Sequence, residues 1–170
     1  KSLAIEPSGS AHANLGTLYY YAGRYQDATR QYESANALAS SDQGIVGSLA
    51  DALWLIPGRR PEAVRQYERA AQLAEESLKV NPVDAQVIAS LGYYGGRTGD
   101  PESSARALAR AEALRDDDMY VQYFIALAAA DRRDDAKARD AIGRAQRSGY
   151  PRKLLEADPV LKRLVTGNGA

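Results

Sequence analysis

Few residues of this chain could carry out chemistry, and their spacing does not assemble a reactive site. His12 is the only histidine among 170 residues, and there is no cysteine. A catalytic nucleophile needs a base within hydrogen-bond reach, and a zinc site needs several histidine, cysteine or carboxylate ligands. The sequence therefore predicts no catalytic residue, no metal site and no cofactor. We expect His12 to be a packing residue on a helix.

Two short motifs resemble ligand sites but lack the necessary spacing. Residues 92–99 are rich in glycine, as phosphate-binding loops are, but Arg97 stands where such a loop carries lysine. A helical pattern rather than a strand also precedes them. Residues 116–118 are three consecutive aspartates, whereas a calcium loop needs alternating ligands, a glycine turn and a distal glutamate. We expect a helix end at the first motif and a helix-capping turn at the second.

The balance of charge limits the classes of partner. The 22 basic and 22 acidic side chains cancel. Binding to nucleic acid or to an anionic membrane surface depends on a basic excess, so neither is predicted as the main partner. No apolar stretch of the sequence is long enough to insert across a bilayer. The absence of cysteine leaves the compartment undetermined.

Helical signals alternate with turn signals along almost the whole chain. Alanine, arginine, leucine, glutamate and glutamine dominate, and all of them favour helix. Turn residues interrupt the apolar patterns at positions 23–24, 57–58, 99–101 and 131–134. Asp100 before Pro101 is a typical helix start, and Asp158 before Pro159 repeats it. The sequence therefore predicts an all-α fold of short helices.

One helical pattern recurs along the chain. Leu15-Gly16, on the first helix of a predicted pair, returns as Leu91-Gly92. Small and large residues also recur on the second helices, at Ala28, Tyr32 and Ala35, at Ala63, Tyr67 and Ala70, at Leu108 and Ala111, and at Ala138, Ile142 and Ala145. The small residues allow two helices to approach closely, and the large ones fill the remaining space. A repeated helix–turn–helix unit predicts a solenoid whose function resides on a surface.

These residues resemble the tetratricopeptide repeat family, whose unit is a helix–turn–helix of about 34 residues. The resemblance implies an all-α, right-handed superhelical solenoid that forms a single domain over residues 1–170. Its parts are a partial leading repeat at 1–8, repeats at 9–42, 43–84, 85–118 and 119–152, and a C-terminal cap and tail at 153–170. The segment Gly149-Tyr150-Pro151, followed by Glu156-Ala157-Asp158-Pro159, further resembles the C-terminal ends of repeat regions in bacterial multidomain signalling proteins. We therefore expect the chain to be part of a longer protein.

The family's register directs one set of first-helix side chains onto a concave face that binds a partner peptide or helix. The set is Tyr20, Tyr21, Asp51, Trp54, Gln86, Tyr93, Arg97, Tyr120 and Tyr123. Aromatic side chains with polar tips are typical of binding hot spots, but packing between neighbouring first helices is an equally open role. The family's clamp for a terminal carboxylate is not retained, since only Asn14 of its usual residues is present. The predicted function is a non-enzymatic scaffold for protein–protein interaction.

The alternative function is structural self-assembly. An open solenoid with unmatched ends can join head to tail and so form a filament or tube. The joint would use apolar residues at the two ends of the chain: Leu3, Ile5, Leu154, Leu155, Val160 and Leu164. The predicted partner is therefore either a protein segment or further copies of this chain.

Overall fold

The chain is helical throughout the part that its computed structural model describes, residues 8–114 and 116–166. Those residues form ten helices and no strand. The helices are α1 (Gly9–Tyr21), α2 (Tyr25–Leu38), α3 (Gln43–Trp54), α4 (Arg60–Val80), α5 (Ala85–Thr98), α6 (Pro101–Ala113), α7 (Met119–Asp131), α8 (Asp135–Arg147), α9 (Arg152–Ala157) and α10 (Lys162–Thr166). The predicted all-α class is confirmed.

Short polar side chains begin most of these helices. Each accepts a hydrogen bond from a backbone N–H of the first turn, which otherwise has no partner inside the helix. The N-cap residues are Ser8, Asp42, Asp84, Asp100, Asp118 and Asp134. The predicted start at Asp100-Pro101 and the predicted capping role of residues 116–118 are therefore confirmed. The glycine-rich motif is the C-terminal half of α5, which ends at Gly99 with a left-handed φ of 83°.

The helices group into two compact units, residues 1–70 and 71–170, with the division inside α4. In the first unit α2 packs against both α1 and α3. A Cβ atom at Gly16 would lie 2.8 Å from a ring carbon of Tyr32, so the predicted close approach of the first two helices is confirmed. His12 is half-buried, and its Nδ1 lies 2.8 Å from Gln31 Oε1 on α2. Leu3 and Ile5 lie outside the described residues.

In the second unit α5 packs against α6 and α7, and α7 packs against α8. Gly92, like Gly16, lies where two helices approach closely, because a Cβ atom at Gly92 would lie 2.7 Å from Leu108 Cγ on α6. The short helices α9 and α10 follow, and α10 contacts α8. These contacts bury Leu155 and Leu164 and half-bury Leu154 and Val160. The C-terminal residues named for self-assembly therefore offer little exposed apolar surface.

Candidate functional site

The nine predicted contact residues all lie on α1, α3, α5 and α7, in two separate groups. The first unit holds Tyr20, Tyr21, Asp51 and Trp54, and the second holds Gln86, Tyr93, Arg97, Tyr120 and Tyr123. Each group is built around ring contacts and a partly or fully buried carboxylate.

In the first unit, two tyrosines of the second helices direct their hydroxyls at the first helices. Tyr67 of α4 donates to Asp51 Oδ1 over 2.5 Å, and the hydroxyls of Tyr32 and Thr17 lie 3.0 Å apart. Burial raises the pKa of Tyr32 to about 12. The hydrogen bond with Thr17 lowers this pKa, whereas the negative charge of Asp51 raises it further. The Tyr32 hydroxyl therefore stays protonated at neutral pH. Asp51 is held in position from the core by Tyr67.

The ring of Trp54 is oriented by contacts on two sides. Its indole is half-buried and meets the ring of Tyr67 edge-on, with centroids 6.1 Å apart. The guanidinium of Arg60 lies 5.0 Å from the indole centroid. A cavity of about 490 Å³, formed with the turn at Pro57-Gly58, opens beside it. Because two neighbours already orient the indole, binding a partner would cost it little rotational freedom.

Tyr20 and Tyr21 have different surroundings although they are adjacent. Tyr20 is only 9 % exposed and meets Tyr21 and Tyr25 with ring centroids 5.4 and 5.8 Å away. Tyr21 is half-buried. Tyr20 therefore supports the surface, and Tyr21 contributes ring area to it.

In the second unit, a partly buried ion pair links α5 to the end of α7. Arg97 Nε lies 2.7 Å from Asp131 Oδ2, and the Arg97 side chain is 7 % exposed. Its guanidinium also lies 5.2 Å from the ring centroid of Tyr93. Burial raises the pKa of Asp131, and the charge and hydrogen bonding of Arg97 oppose that rise. The sequence predicts Asp131 only as a turn residue and not as a partner of Arg97, although Asp131 follows Arg97 by one predicted repeat length.

The buried carboxylate of Asp158 connects α7 to the segment that precedes α10. Asp158 accepts hydrogen bonds from the Tyr123 hydroxyl at 2.8 Å and from the backbone N–H groups of Val160 and Leu161. Burial raises the pKa of Asp158, while these hydrogen bonds and the charge of Arg97 oppose the rise. The Asp158-Pro159 pair was recognised as a helix start. Its contact with Tyr123, 35 residues earlier, could not be read from local sequence.

The aromatic residues of the second unit form one continuous cluster. Tyr123 stacks on Tyr150 with centroids 4.8 Å apart, and Tyr120 meets Tyr150 edge-on at 5.9 Å. Phe124 joins Tyr123 to Tyr93. Sequence analysis placed neither Phe124 nor Tyr150 in the site, because Phe124 is not among the register positions of the concave face and Tyr150 follows α8.

The exposed part of this cluster is smaller than the set that the sequence predicts. Tyr93 is 2 % exposed and Arg97 is nearly as buried, so both have little area left for a partner. Tyr120 is 43 % exposed, Gln86 is exposed, and Tyr123 is half-buried. Of the predicted contact residues of this unit, only Gln86, Tyr120 and Tyr123 therefore keep substantial exposed area. Tyr93 and Arg97 hold the helices that carry them.

Two further findings concern only residues 8–114 and 116–166. None of their helices combines the length and the apolar character that crossing a bilayer requires. Their histidine, aspartate and glutamate side chains form no group of three or more that could hold a metal ion. In comparisons of the whole sequence, no protein-family model and no curated protein matches.

Proposed function

We propose that this protein is a non-enzymatic scaffold that binds a segment of a partner protein through aromatic side chains on the first helix of each helix pair. The observation that carries the proposal is the partial exposure of rings already held by neighbours. Trp54 is held by Tyr67 and Arg60, and Tyr120 is held by Tyr150. Rigid, partly exposed aromatic residues dominate the energy of many protein interfaces.

We further propose that the chain is a right-handed superhelical solenoid of the tetratricopeptide type. Two features support this. The helices α1, α3, α5 and α7 begin at Gly9, Gln43, Ala85 and Met119, so that successive starts are 34, 42 and 34 residues apart. The longer interval contains α4, which has 21 residues. Gly16 and Gly92 also lie at close helix approaches, as the family's small residues do.

The proposed binding surfaces are described separately for the two units. In the first unit the contact residues are Tyr21 and Trp54, with Asp51 beside them. In the second unit they are Gln86, Tyr120 and Tyr123. The buried residues Tyr20, Tyr93 and Arg97 act by holding these positions.

Replacing Trp54 by alanine is expected to weaken binding of a selected peptide about thirtyfold, which corresponds to about 2 kcal/mol for a central aromatic residue. The peptides would be selected from a random phage-displayed library on the immobilised chain, and their affinities measured by calorimetry. Val80→Ala is the matched control, because Val80 is exposed and apolar but lies at the end of α4. Equal affinities for wild type and a folded Trp54→Ala protein would reject this surface.

Self-association is the second candidate function, and one observation on α1 favours it. Ala11, Leu15 and Leu18 are all exposed, Leu18 by 68 %, and they follow each other at intervals of four and three residues. Apolar residues at this spacing form a stripe along one side of a helix, and two helices can pack along such stripes. Residues 9–21 also contain no Asp, Glu, Lys or Arg, so two copies of α1 would not repel each other. This contact would pair α1 with α1 and so close as a dimer.

Light scattering across a concentration series tests this candidate. We expect the wild type to be dimeric at high concentration and Leu18→Glu to be monomeric, because the joint would bury an unpaired charge. Leu38→Glu is the control, since Leu38 is equally exposed but lies on α2. A wild type that stays monomeric at every concentration would reject self-association through α1.

A further inference from the structure

A second recess lies at the C-terminal end of the second unit, and none of the described residues that line it is aromatic. It encloses about 380 Å³ between α8, α9 and α10. Four of its lining residues, Arg139, Ile142, Gly143 and Gln146, lie on one face of α8, because they are spaced by three and four residues. The volume lies in the range that holds a small ligand or a few side chains.

The floor of this recess is apolar and its rim donates hydrogen bonds. Ile142, Leu164 and Val165 form the floor and are buried. Arg139, Gln146 and Arg152 supply N–H donors, and no acidic residue is among the described residues that line the recess. An anionic group flanked by an apolar one would match both parts of this lining.

Gly143 lines the recess without contributing a side chain to it. Glycine in the middle of a helix costs about 0.5–1 kcal/mol relative to alanine. A Cβ atom at Gly143 would lie 3.4 Å from a guanidinium nitrogen of Arg147, so a third guanidinium also lies close to this face of α8.

The charge around the recess is positive although the whole chain is neutral. Residues 135–166 carry eight basic and four acidic side chains. Four of the eight basic groups are paired, Arg163 with Asp135, Arg152 with Glu156, Lys137 with Glu112 and Arg144 with Asp117. Because Glu112 and Asp117 lie outside this segment, they reduce its excess of basic groups from four to two. The surface near the recess therefore attracts anions.

Each of the two arginines of the rim also bonds to the protein itself. Arg139 Nη1 donates to the carbonyl oxygen of Leu164 at 2.9 Å, which fixes the guanidinium at the edge of the floor. Arg152 Nε pairs with Glu156 at 2.7 Å, but both side chains are exposed. Such surface pairs contribute less than about 1 kcal/mol, so an incoming carboxylate can replace Glu156. The planar guanidinium matches a carboxylate with two parallel hydrogen bonds.

We infer that this recess binds an acidic segment of a partner protein, with a Glu or Asp side chain on Arg139 and Arg152 and an aliphatic neighbour on the floor. The surface is distinct from the aromatic one, so the inference stands or falls independently of the scaffold proposal.

The test is an NMR titration of the ¹⁵N-labelled chain with the acetylated and amidated peptide Glu-Glu-Leu-Glu-Glu at low salt, where charge screening is weak. We expect shifts confined to α8, α9 and α10. Arg139→Gln should raise the Kd at least about tenfold. This change corresponds to the loss of one charge-assisted hydrogen bond, which contributes about 1.5 kcal/mol. Lys153→Gln is the matched control, because Lys153 is an exposed cation of α9 that does not line the recess, and its Kd should change less than about twofold.

Gly143→Leu is a second variant that fills the recess without changing charge, and it should remove binding while the helical circular dichroism is retained. Equal losses for Arg139→Gln and Lys153→Gln would overturn the inference in favour of diffuse attraction. Inorganic phosphate that shifts the same resonances equally well would overturn it in favour of a simple anion site. Absence of any shift in α8 to α10 would also overturn it.

Discussion

Replacing Gly92 by leucine is expected to destabilise the second unit by at least about 3 kcal/mol, the upper end for overpacked cores. Even the first carbon of a side chain there would lie 2.7 Å from Leu108 Cγ and 3.2 Å from the backbone nitrogen of Leu108. The Leu108 side chain can rotate away, but its backbone cannot move without separating α5 from α6. Thermal melts followed by circular dichroism would measure the loss.

The same helix offers a matched control for this prediction. A Cβ atom at Gly96 would meet nothing closer than Ser104 Oγ at 3.6 Å, an ordinary contact. Gly96→Ala should therefore stabilise the protein by up to about 1 kcal/mol through helix propensity alone. Gly92→Ala should destabilise it despite the same gain in propensity. A stabilising effect of both alanines would show that α5 and α6 do not approach closely at Gly92.

Replacing Arg97 by methionine is expected to cost about 2–3 kcal/mol at neutral pH, less than the loss from a fully buried pair, because the Asp131 side chain is 26 % exposed. Arg97 is almost fully buried and lies 2.7 Å from Asp131. Its charge also opposes the rise in the pKa of Asp158. Without it, the partly exposed carboxylate of Asp131 and the buried carboxylate of Asp158, which repel each other, lose a compensating cation. Arg106→Met is the control, because Arg106 is exposed and lies 3.7 Å from Glu102, so its loss should cost less than about 0.5 kcal/mol.

The pH dependence of this loss separates charge from packing. Burial raises the pKa of both Asp131 and Asp158, so the folded state holds more protons than the unfolded state between the usual carboxyl pKa and the raised values. The free energy of unfolding must therefore rise as the pH falls through this pH range. Removal of Arg97 should widen the range, because Arg97 lowers the pKa of both carboxyl groups. We expect the deficit of Arg97→Met in chemical denaturation to shrink from pH 7 to about pH 5. A deficit independent of pH would assign the effect to lost packing around Tyr93.

A double variant adds a direct test of this ion pair. Replacing Asp131 by methionine in the Arg97→Met background should recover much of the stability at pH 7, because an apolar pair leaves no unpaired charge at this position. Failure to recover would mean that Asp158, with its raised pKa, is the carboxylate that depends most on Arg97.

The helix starts and the close helix approaches could be predicted from the sequence because their causes are local or periodic. Asp100 caps α6 through a hydrogen bond to Ser103, three residues away. Gly16 and Gly92 recur in the same context, and each faces the large residue of the following helix. The aromatic contact set stays a prediction. Its register places all nine residues on α1, α3, α5 and α7 but could not show which rings would be covered.

The sequence by itself thus determined the helical class, the positions at which helices begin and the glycines that let them approach. These depend on capping over a few residues and on a spacing repeated along the chain. The tertiary structure alone decided that Tyr93 is buried while Tyr120 is exposed, that Arg97 pairs with Asp131, and that Asp158 is tied to Tyr123. Exposure and pairing depend on side chains that arrive from helices about 30 residues away, and a local pattern does not contain them.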